Sequence, residues 1–345
     1  MQKTEKYDAV LLVSFGGPEG PDDVIPFLEN VLRGKNVPRE RMLEVAEHYK
    51  RFGGVSPING QCRQLIGALR SELNSSGPDL PIYWGNRNWH PMLADTLRQM
   101  KEDGVQRALA LMTSAFSSYS GCRQYLEDIE RARTEVGDGA PQVEKLRVFY
   151  NHPGFVESTA ARVRDALAEI PKDRHQTTQL AYTAHSIPMA MANGCDYAVQ
   201  LSEASRLVTE NLGQFNSVLV YQSRSGPPSQ PWLEPDICDY LKEVHASGQF
   251  TDVVIVPIGF ISDHIEILFD LDTEARHVCD EFGLNMVRAK TVGTHPVFIS
   301  MIRELISERV CGTERRCLGA MGPSLDVCPD RCCPSGRPTQ RPSAT

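Results

Sequence analysis

The chain has 345 residues, 41 % of them hydrophobic, which is enough for a large core and for two domains of ordinary size. A formal net charge of −8 excludes nucleic acid as the main partner, since that would call for a basic face. The N-terminal MQKTEKYDAV is polar and lacks an apolar leader core, and no apolar run reaches the roughly 18 residues a membrane-spanning helix needs. The expectation is a cytoplasmic, monomeric protein with no secretory signal and no transmembrane segment. Half of the 10 cysteines, Cys311, Cys317, Cys328, Cys332 and Cys333, crowd the stretch after residue 310. In a reducing cytosol such a group points to metal binding rather than disulfides. The scattered Cys62, Cys122, Cys195, Cys238 and Cys279 read as small core hydrophobes.

In chain order, Ala9–Phe15 (AVLLVSF) is a continuous apolar run closed by Gly16, Gly17 and Pro18, and reads as a buried strand. Asp22–Arg33 reads as a helix, with aspartates in its first turn and Gly34 behind it. Helices follow at Arg39–Arg51 and Asn59–Ser75, a strand at Pro81–Gly85 and a helix at Pro91–Glu102. Next come a strand at Arg107–Thr113, a helix at Ser120–Thr134 and a strand at Lys145–Tyr150. The second half repeats the rhythm, with strands at Gln179–Ala184, Ser217–Gln222 and Asp252–Ile258 and helices near 154–169, 196–212, 235–247, 266–282 and 295–309. Such alternation predicts an α/β protein: two doubly wound, Rossmann-like domains, each a parallel sheet covered by helices. The first domain is expected over 1–150 and the second over 151–294, with a helix at about 295–310 returning to pack on the first. A Cys-rich tail covers 311–333, and the Pro/Ser-rich end, 334–345, reads as disordered.

Ligands of such folds bind beyond the carboxyl ends of the strands. Five strand exits are polar or glycine-rich: Ser14–Gly17, Ser114–Ser120, His185, Ser223–Gly226 and Gly259–Glu266. They predict one cleft shared by the two domains.

The segment Val253–Asp272, VVIVPIGFISDHIEILFDLD, is the richest. A strand turns at Pro257–Gly259 and leads to His264 and Glu266. Glu266, Asp270 and Glu274 then recur at i, i+4 and i+8, on one helical face. Three like charges repel, so the ridge suits a functional role, either holding a divalent cation or passing protons. A charge run is most often a solvated face, but Ile265, Ile267, Leu268, Phe269 and Leu271 make this segment too apolar to be wholly exposed. Asp263 and Asp272 lie beside the ridge. His185, in TAHSIP, suits proton removal or metal contact. A lone histidine is more often structural, and the company of His264 and Glu266 turns this one toward function. Arg33 and Arg51, near the turn-rich FGGVSPING with its Ser56, suit the carboxylates of an acidic ligand. In SAFSSYSGCRQY, hydroxyls and free amides precede a helix, with Tyr125 near Cys122 on one face.

Together these segments resemble ferrochelatase, most closely the actinobacterial coproporphyrin ferrochelatases. The resemblance runs from LLVSFGGPEGPDDVIPFLENVLRG through HYKRFGGVSPING, YWGNRNWHP, TSAFSSYSGCRQY, TAHSIP and QSRSGPPSQPWLEPD to VPIGFISDHIEILFDLD. It implies insertion of ferrous iron into a porphyrin, coproporphyrin III or else protoporphyrin IX, with release of two pyrrole protons in heme biosynthesis. It implies that His185 and Glu266 face each other across the macrocycle at the metal. It places Ser56 and Tyr125 on the porphyrin, Arg33 near a propionate and Phe15 on the pocket wall. Asp270, Glu274 and His264 become the proton or metal path. Many relatives carry tyrosine where this chain has Phe15, so an axial phenol to product iron is missing here. Phe15, Ile58, Trp232, Phe260 and Ile261 are candidate apolar walls for a flat ligand. The tail looks like one that holds a [2Fe–2S] cluster in related enzymes. Cys317, Cys328 and Cys333 are its first three candidate ligands, with Cys332 or Cys122 as the fourth. A zinc site is the other metal option.

Two readings from other classes compete. A tetrapyrrole or iron carrier needs no proton acceptor opposite a metal route. An iron–sulfur electron carrier or sensor leaves the cleft motifs unexplained. A nucleotide enzyme is disfavoured, because the first strand ends in FGGPEG rather than a dinucleotide or P-loop motif.

Overall fold

The computed structural model describes residues 6–336 except 36 and 228. Strands β1 (Ala9–Ser14), β2 (Ile82–Asn86), β3 (Arg107–Met112) and β4 (Gln142–Lys145) form one parallel sheet in the order β2-β1-β3-β4. Strands β5 (Thr178–His185), β6 (Asn216–Gln222), β7 (Asp252–Val256) and β8 (Asn285–Arg288) form a second in the order β6-β5-β7-β8. The strand–helix alternation predicted this architecture. All six residues of β1 are buried, because helices cover both faces of a parallel sheet and leave no polar side. The strand order reverses between β1 and β3, and again between β5 and β7. The carboxyl ends at both switch points carry Ser14, Phe15, Ser114, His185 and the Gly259–Glu266 turn.

Several elements depart from the sequence reading, among them the start of the expected helix Ser120–Thr134, which is π-helical over Tyr119–Arg123. The fourth strand is Gln142–Lys145, not Lys145–Tyr150. The run Leu146–Tyr150 is buried all the same, as irregular chain that dives from the first sheet into the helix Pro153–Leu167. The short β8, NMVR, gave no apolar run to detect. The expected helix 266–282 is α-helical over Ile265–Phe269 and Arg276–Phe282, with a π-helical segment, Asp270–Ala275, between.

One apolar core passes through both halves. It joins Leu12, Leu69 and Phe116 to Leu180, Tyr182 and Phe298. The helix Pro296–Val310 lies across the join. Its Arg303 donates to Glu72 of the first half at 2.9 Å, and its Arg309 pairs with Glu144 at 2.5 Å. Glu308 takes two hydrogen bonds from Arg147, at 2.7 and 2.8 Å, with side chains only 3 % and 1 % exposed. Beyond it the chain stays against the body: Leu318 N–H donates to Asn151 O at 2.8 Å, and Asn151 Nδ2 donates to Gly322 O at 2.9 Å. A Cβ on Gly194 would stand 2.7 Å from Pro334, and one on Gly336 2.8 Å from the Met191 backbone, so the end of the tail packs against the segment after β5. The remaining end, 337–345, expected to be disordered, lies outside the described residues. No helix among the described residues is long and apolar enough to cross a membrane.

Removing one partner from a buried, hydrogen-bonded ion pair strands the other charge, at a cost of about 3–5 kcal/mol. Glu308→Gln is therefore expected to lower unfolding stability by that order in urea titrations. The double variant Arg147→Met/Glu308→Leu should lose less. Equal losses would mean that the pair's charge is immaterial.

Candidate active site

His185 ends β5, and its position is fixed twice. The Tyr197 hydroxyl donates to its carbonyl at 3.1 Å, and its Nδ1 meets the Ser186 carbonyl. An Nδ1–H donated to that carbonyl leaves Nε2 with the lone pair. Nε2 lies 3.8 Å from Glu266 Oε2, and His264 Nδ1 approaches the same oxygen at 3.9 Å. That separation leaves no room for a flat ring between them, which takes about 3.5 Å of contact on each face. The expectation that His185 and Glu266 stand across the macrocycle is therefore corrected, and both lie on one side of it. Glu266 is half exposed, so the three groups open into the cleft. Burial lowers the His264 pKa, with His185 acting in the same direction and Glu266 opposing it.

The ridge behind Glu266 is graded. Asp270 points to the end of β6, where the Ser223 hydroxyl and Gln222 Nε2 donate to its Oδ2, the latter at 3.3 Å. Ser223 adopts φ +62°, a left-handed conformation uncommon for serine, and this turns its hydroxyl onto the carboxylate. Burial pushes Asp270 up to about 7, and Glu266 and Glu274 add to the shift while Ser223 and Gln222 oppose it. Glu274 is exposed; burial of part of its carboxyl and Asp236 raise its pKa, and Arg51 lowers it. The π segment starts at Asp270, and such insertions are frequent at functional sites.

The first half closes on this ridge. His48 stacks on Phe269 at 3.7 Å and 10°, and the Arg51 guanidinium lies 5.6 Å from the same ring. Asp263 N–H donates to Gln61 Oε1 at 2.8 Å across the cleft. Asp263 and Asp272 are both held by Arg288, at 3.3 and 2.6 Å, which makes them struts of the turn rather than members of the ridge.

The opposite wall is built on Arg87. It pairs with Asp128 in a buried site and lies 5.7 Å from the Phe15 ring and 4.4 Å from that of Tyr125. Phe15 is half-buried and meets Phe27 edge-on at 6.1 Å. Tyr125 is 5 % exposed, its hydroxyl 3.4 Å from Thr113 Oγ1, and Ser56 is 4 % exposed. Both therefore lie beneath the surface of the cleft. A Cβ on Gly17 would stand 2.6 Å from that of Ser56, so this turn needs glycine. Arg33 is exposed at the rim and bonds to Asn30, whose Nδ2 donates to Asn88 O at 3.2 Å.

A ferrochelatase family model matches residues 7–310. A protein named ferrochelatase from Rhodopirellula baltica is 60 % identical over 334 residues, 96 % of this chain and 95 % of its own. The chain belongs to the ferrochelatase family. It is an enzyme that inserts metal into a porphyrin in heme synthesis. The coproporphyrin III ferrochelatase of Streptomyces coelicolor is 49 % identical, with 98 % of this chain and 96 % of its own covered. SirB from Bacillus subtilis, solved with Fe3+, shares the fold at a TM-score of 0.57 and 10 % identity, over 89 % of this chain and 97 % of its own.

The ferrochelatase fold brings together part of the thiol set. Cys122, Cys328, Cys332 and Cys333 form a chain. Each of the four acts on the titration of another, and the Cys332 and Cys333 sulfurs stand 3.3 Å apart. Cys122 first, and with it the ammonium of Lys145, hold Cys328 well below the usual thiol range, and Cys328 in turn raises Cys122. Cys317 is not one of the four; its charge acts on Tyr150. Among the described residues no three His, Cys, Asp or Glu side chains stand in a closed metal-ion shell; the thiols converge as a chain. In number and softness the four sulfurs suit a [2Fe–2S] group. Ser223 was expected at a strand exit without a partner, and Gln222, Arg87, Gln61 and Arg288 were not singled out from sequence. Gln222 ends β6 and Arg87 directly follows β2, which marks the place but not the partner.

The raised Asp270 fixes the sign of a pH effect. Between the ordinary carboxylate pKa near 4 and about 7 the folded chain keeps a proton that the unfolded chain has released. Stability therefore falls as pH rises through that window and stays level above it. Asp270→Asn should match the parent in urea unfolding at about pH 4 and exceed it at about pH 8. A difference independent of pH contradicts the assignment.

Proposed function

We propose that the enzyme inserts ferrous iron into coproporphyrin III, giving Fe-coproporphyrin III and two protons. The observation that carries the reading is His185 Nε2 facing Glu266 at 3.8 Å, at the head of graded carboxylates. The substrate choice is supported by the relative from Streptomyces coelicolor, whose name specifies coproporphyrin III. The relative from Rhodopirellula baltica is named for the reaction without its porphyrin, so protoporphyrin IX is the alternative that the assay must separate.

A porphyrin must lose two N–H protons as Fe2+ enters, and the charges then balance with no electron transferred. His185 Nε2 takes the protons, one after the other, and Glu266 lies within reach to relay them. Asp270, with a pKa near neutrality, accepts and releases a proton at working pH, and Glu274 passes it to solvent. The same carboxylates are hard donors for incoming Fe2+ before the ring takes it. Phe15 lines the wall, Arg33 meets a propionate at the rim, and Ser56 and Tyr125 back the pocket with Arg87 between Tyr125 and Phe15. Cleft binding energy would bend the ring and turn pyrrole lone pairs toward the metal.

The tail is proposed to hold a [2Fe–2S] group on Cys122, Cys328, Cys332 and Cys333, in preference to Cys317. Bound there, the group would supply one-electron chemistry that metal insertion does not use, and it would tie the tail to the first half through Cys122.

In an anaerobic absorbance assay with Fe2+ and either porphyrin, catalytic consumption should be faster with coproporphyrin III. His185→Ala should lower kcat by about 10²–10⁴. Stoichiometric binding without turnover would make the protein a carrier. Protein purified without oxygen should contain iron and acid-labile sulfide. Cys122→Ser and Cys328→Ser should lose both and Cys317→Ser should keep both; loss in Cys317→Ser alone reverses the ligand choice.

A further inference from the structure

Lys145 ends β4 inside the protein, only 5 % exposed. Its ammonium donates to the Leu325 carbonyl at 2.9 Å, three residues before Cys328, and Lys145 and Cys122 line one small cavity beside β3. Among the described residues no carboxylate stands within ion-pair distance of it. Every other strongly buried cationic side chain has one: Arg147 has Glu308, and Arg87 has Asp128. A buried ammonium without a counter-charge is costly, and a chain meets that cost by pairing it or by neutralising it. Among the groups its charge acts on are sulfurs: it favours the thiolates of Cys122, Cys328 and Cys332.

We propose that Lys145 is the built-in counter-cation of an anionic metal–thiolate centre held by Cys122, Cys328, Cys332 and Cys333, and that it raises the reduction potential of that centre. This rests on the [2Fe–2S] reading above. Four thiolates make such a group anionic, and reduction adds one further negative charge. A fixed positive charge in a low-dielectric site favours the more negative, reduced form. The lysine also binds the backbone of the tail at Leu325, three residues before Cys328, so it positions that ligand as well as neutralising it.

The two roles separate by substitution. Lys145→Arg keeps charge and donors, Lys145→Gln keeps a donor to Leu325 O without charge, and Lys145→Met keeps neither. The holoprotein, purified without oxygen, would be titrated with dithionite while the paramagnetic signal of the reduced cluster is followed. Lys145→Gln is expected to lower the reduced-to-oxidised ratio at a fixed potential at least tenfold, a shift of about 59 mV for a one-electron couple. Lys145→Arg should stay close to the parent. If Lys145→Met does not fold, the Gln and Arg pair still decides the matter. A cluster of unchanged potential in Lys145→Gln overturns the role of Lys145 and leaves the cluster standing. Parent protein that holds zinc, or neither iron nor sulfide, overturns the cluster and this inference with it.

Discussion

The Arg147–Glu308 pair sits inside the apolar core where the two sheets are joined, in a place where a charge costs several kcal/mol to bury. Its value is positional. A methionine and a leucine could fill the volume, but they would not fix the register of the helix Pro296–Val310 against the irregular Leu146–Tyr150 crossover. That register also sets Arg303 on Glu72 and Arg309 on Glu144. With the helix held, the carboxyl ends of β1 and β3 face those of β5 and β7. Two contacts between the halves tie the walls together: Gln61 with Asp263 N–H, and the buried Gln200, which accepts from Ser117 N–H at 2.7 Å. A cleft for a flat macrocycle needs two walls at fixed separation, and here the separation is set by a core rather than by a hinge.

Within the cleft, three carboxylates one turn apart would all be ionised on an exposed helix and would repel. Burial resolves the conflict by making them unequal. Glu266 opens to the cleft beside two imidazoles, Asp270 is withdrawn under Ser223, and Glu274 returns to solvent. At neutral pH the middle member is part-protonated, which removes the closest repulsions and leaves a step of intermediate proton affinity between cleft and surface. The π segment begins at the middle member. Its wider turn follows the residue whose carboxylate must reach β6 rather than continue along the helix.

Much of this was legible in the sequence. AVLLVSF, QLAYTA and VVIVPI are unbroken apolar runs, and both sheets follow from them. His185 and Glu266 stood out because a histidine at a strand end and a carboxylate ridge in an apolar helix are each unusual. The crossover misled because KLRVFY is as apolar as a strand, and burial alone does not say whether a run is hydrogen-bonded in a ladder. Strand β8 escaped because four residues ending in arginine carry no period. The π segment escaped because i, i+4 spacing fits both helix types. Ser223, Arg87 and Gln61 act by reaching across the fold, and nothing in their local sequence encodes the partner. Asp263 and Asp272 lie beside the ridge in sequence, and their partner, Arg288, sixteen residues beyond Asp272, holds both.

The tail after Cys311 poses the opposite physical problem from the core. It buries little: Leu325 and Val327 are 59 % and 78 % exposed, and among its described apolar residues Cys333 alone is fully buried. Ordering each residue costs on the order of 1–2 kcal/mol of backbone entropy, and apolar burial of this size does not offset that. Its contacts with the body are largely polar, among them Asn151 on Leu318 and Gly322, Arg147 on Arg316 O, Arg316 on Glu304, Lys145 on Leu325, and Arg123 on Asp330 O at 2.6 Å. Hydrogen bonds of this kind contribute about 1 kcal/mol each net, so they position the strap without accounting for its order. A centre that joins Cys122 in the body to three thiols at the end of the strap would close a long loop, and closing a long loop is where a covalent tie stabilises most. The position of the tail and the presence of a metal–thiolate centre are then one question, and the buried ammonium of Lys145 favours the same answer to both.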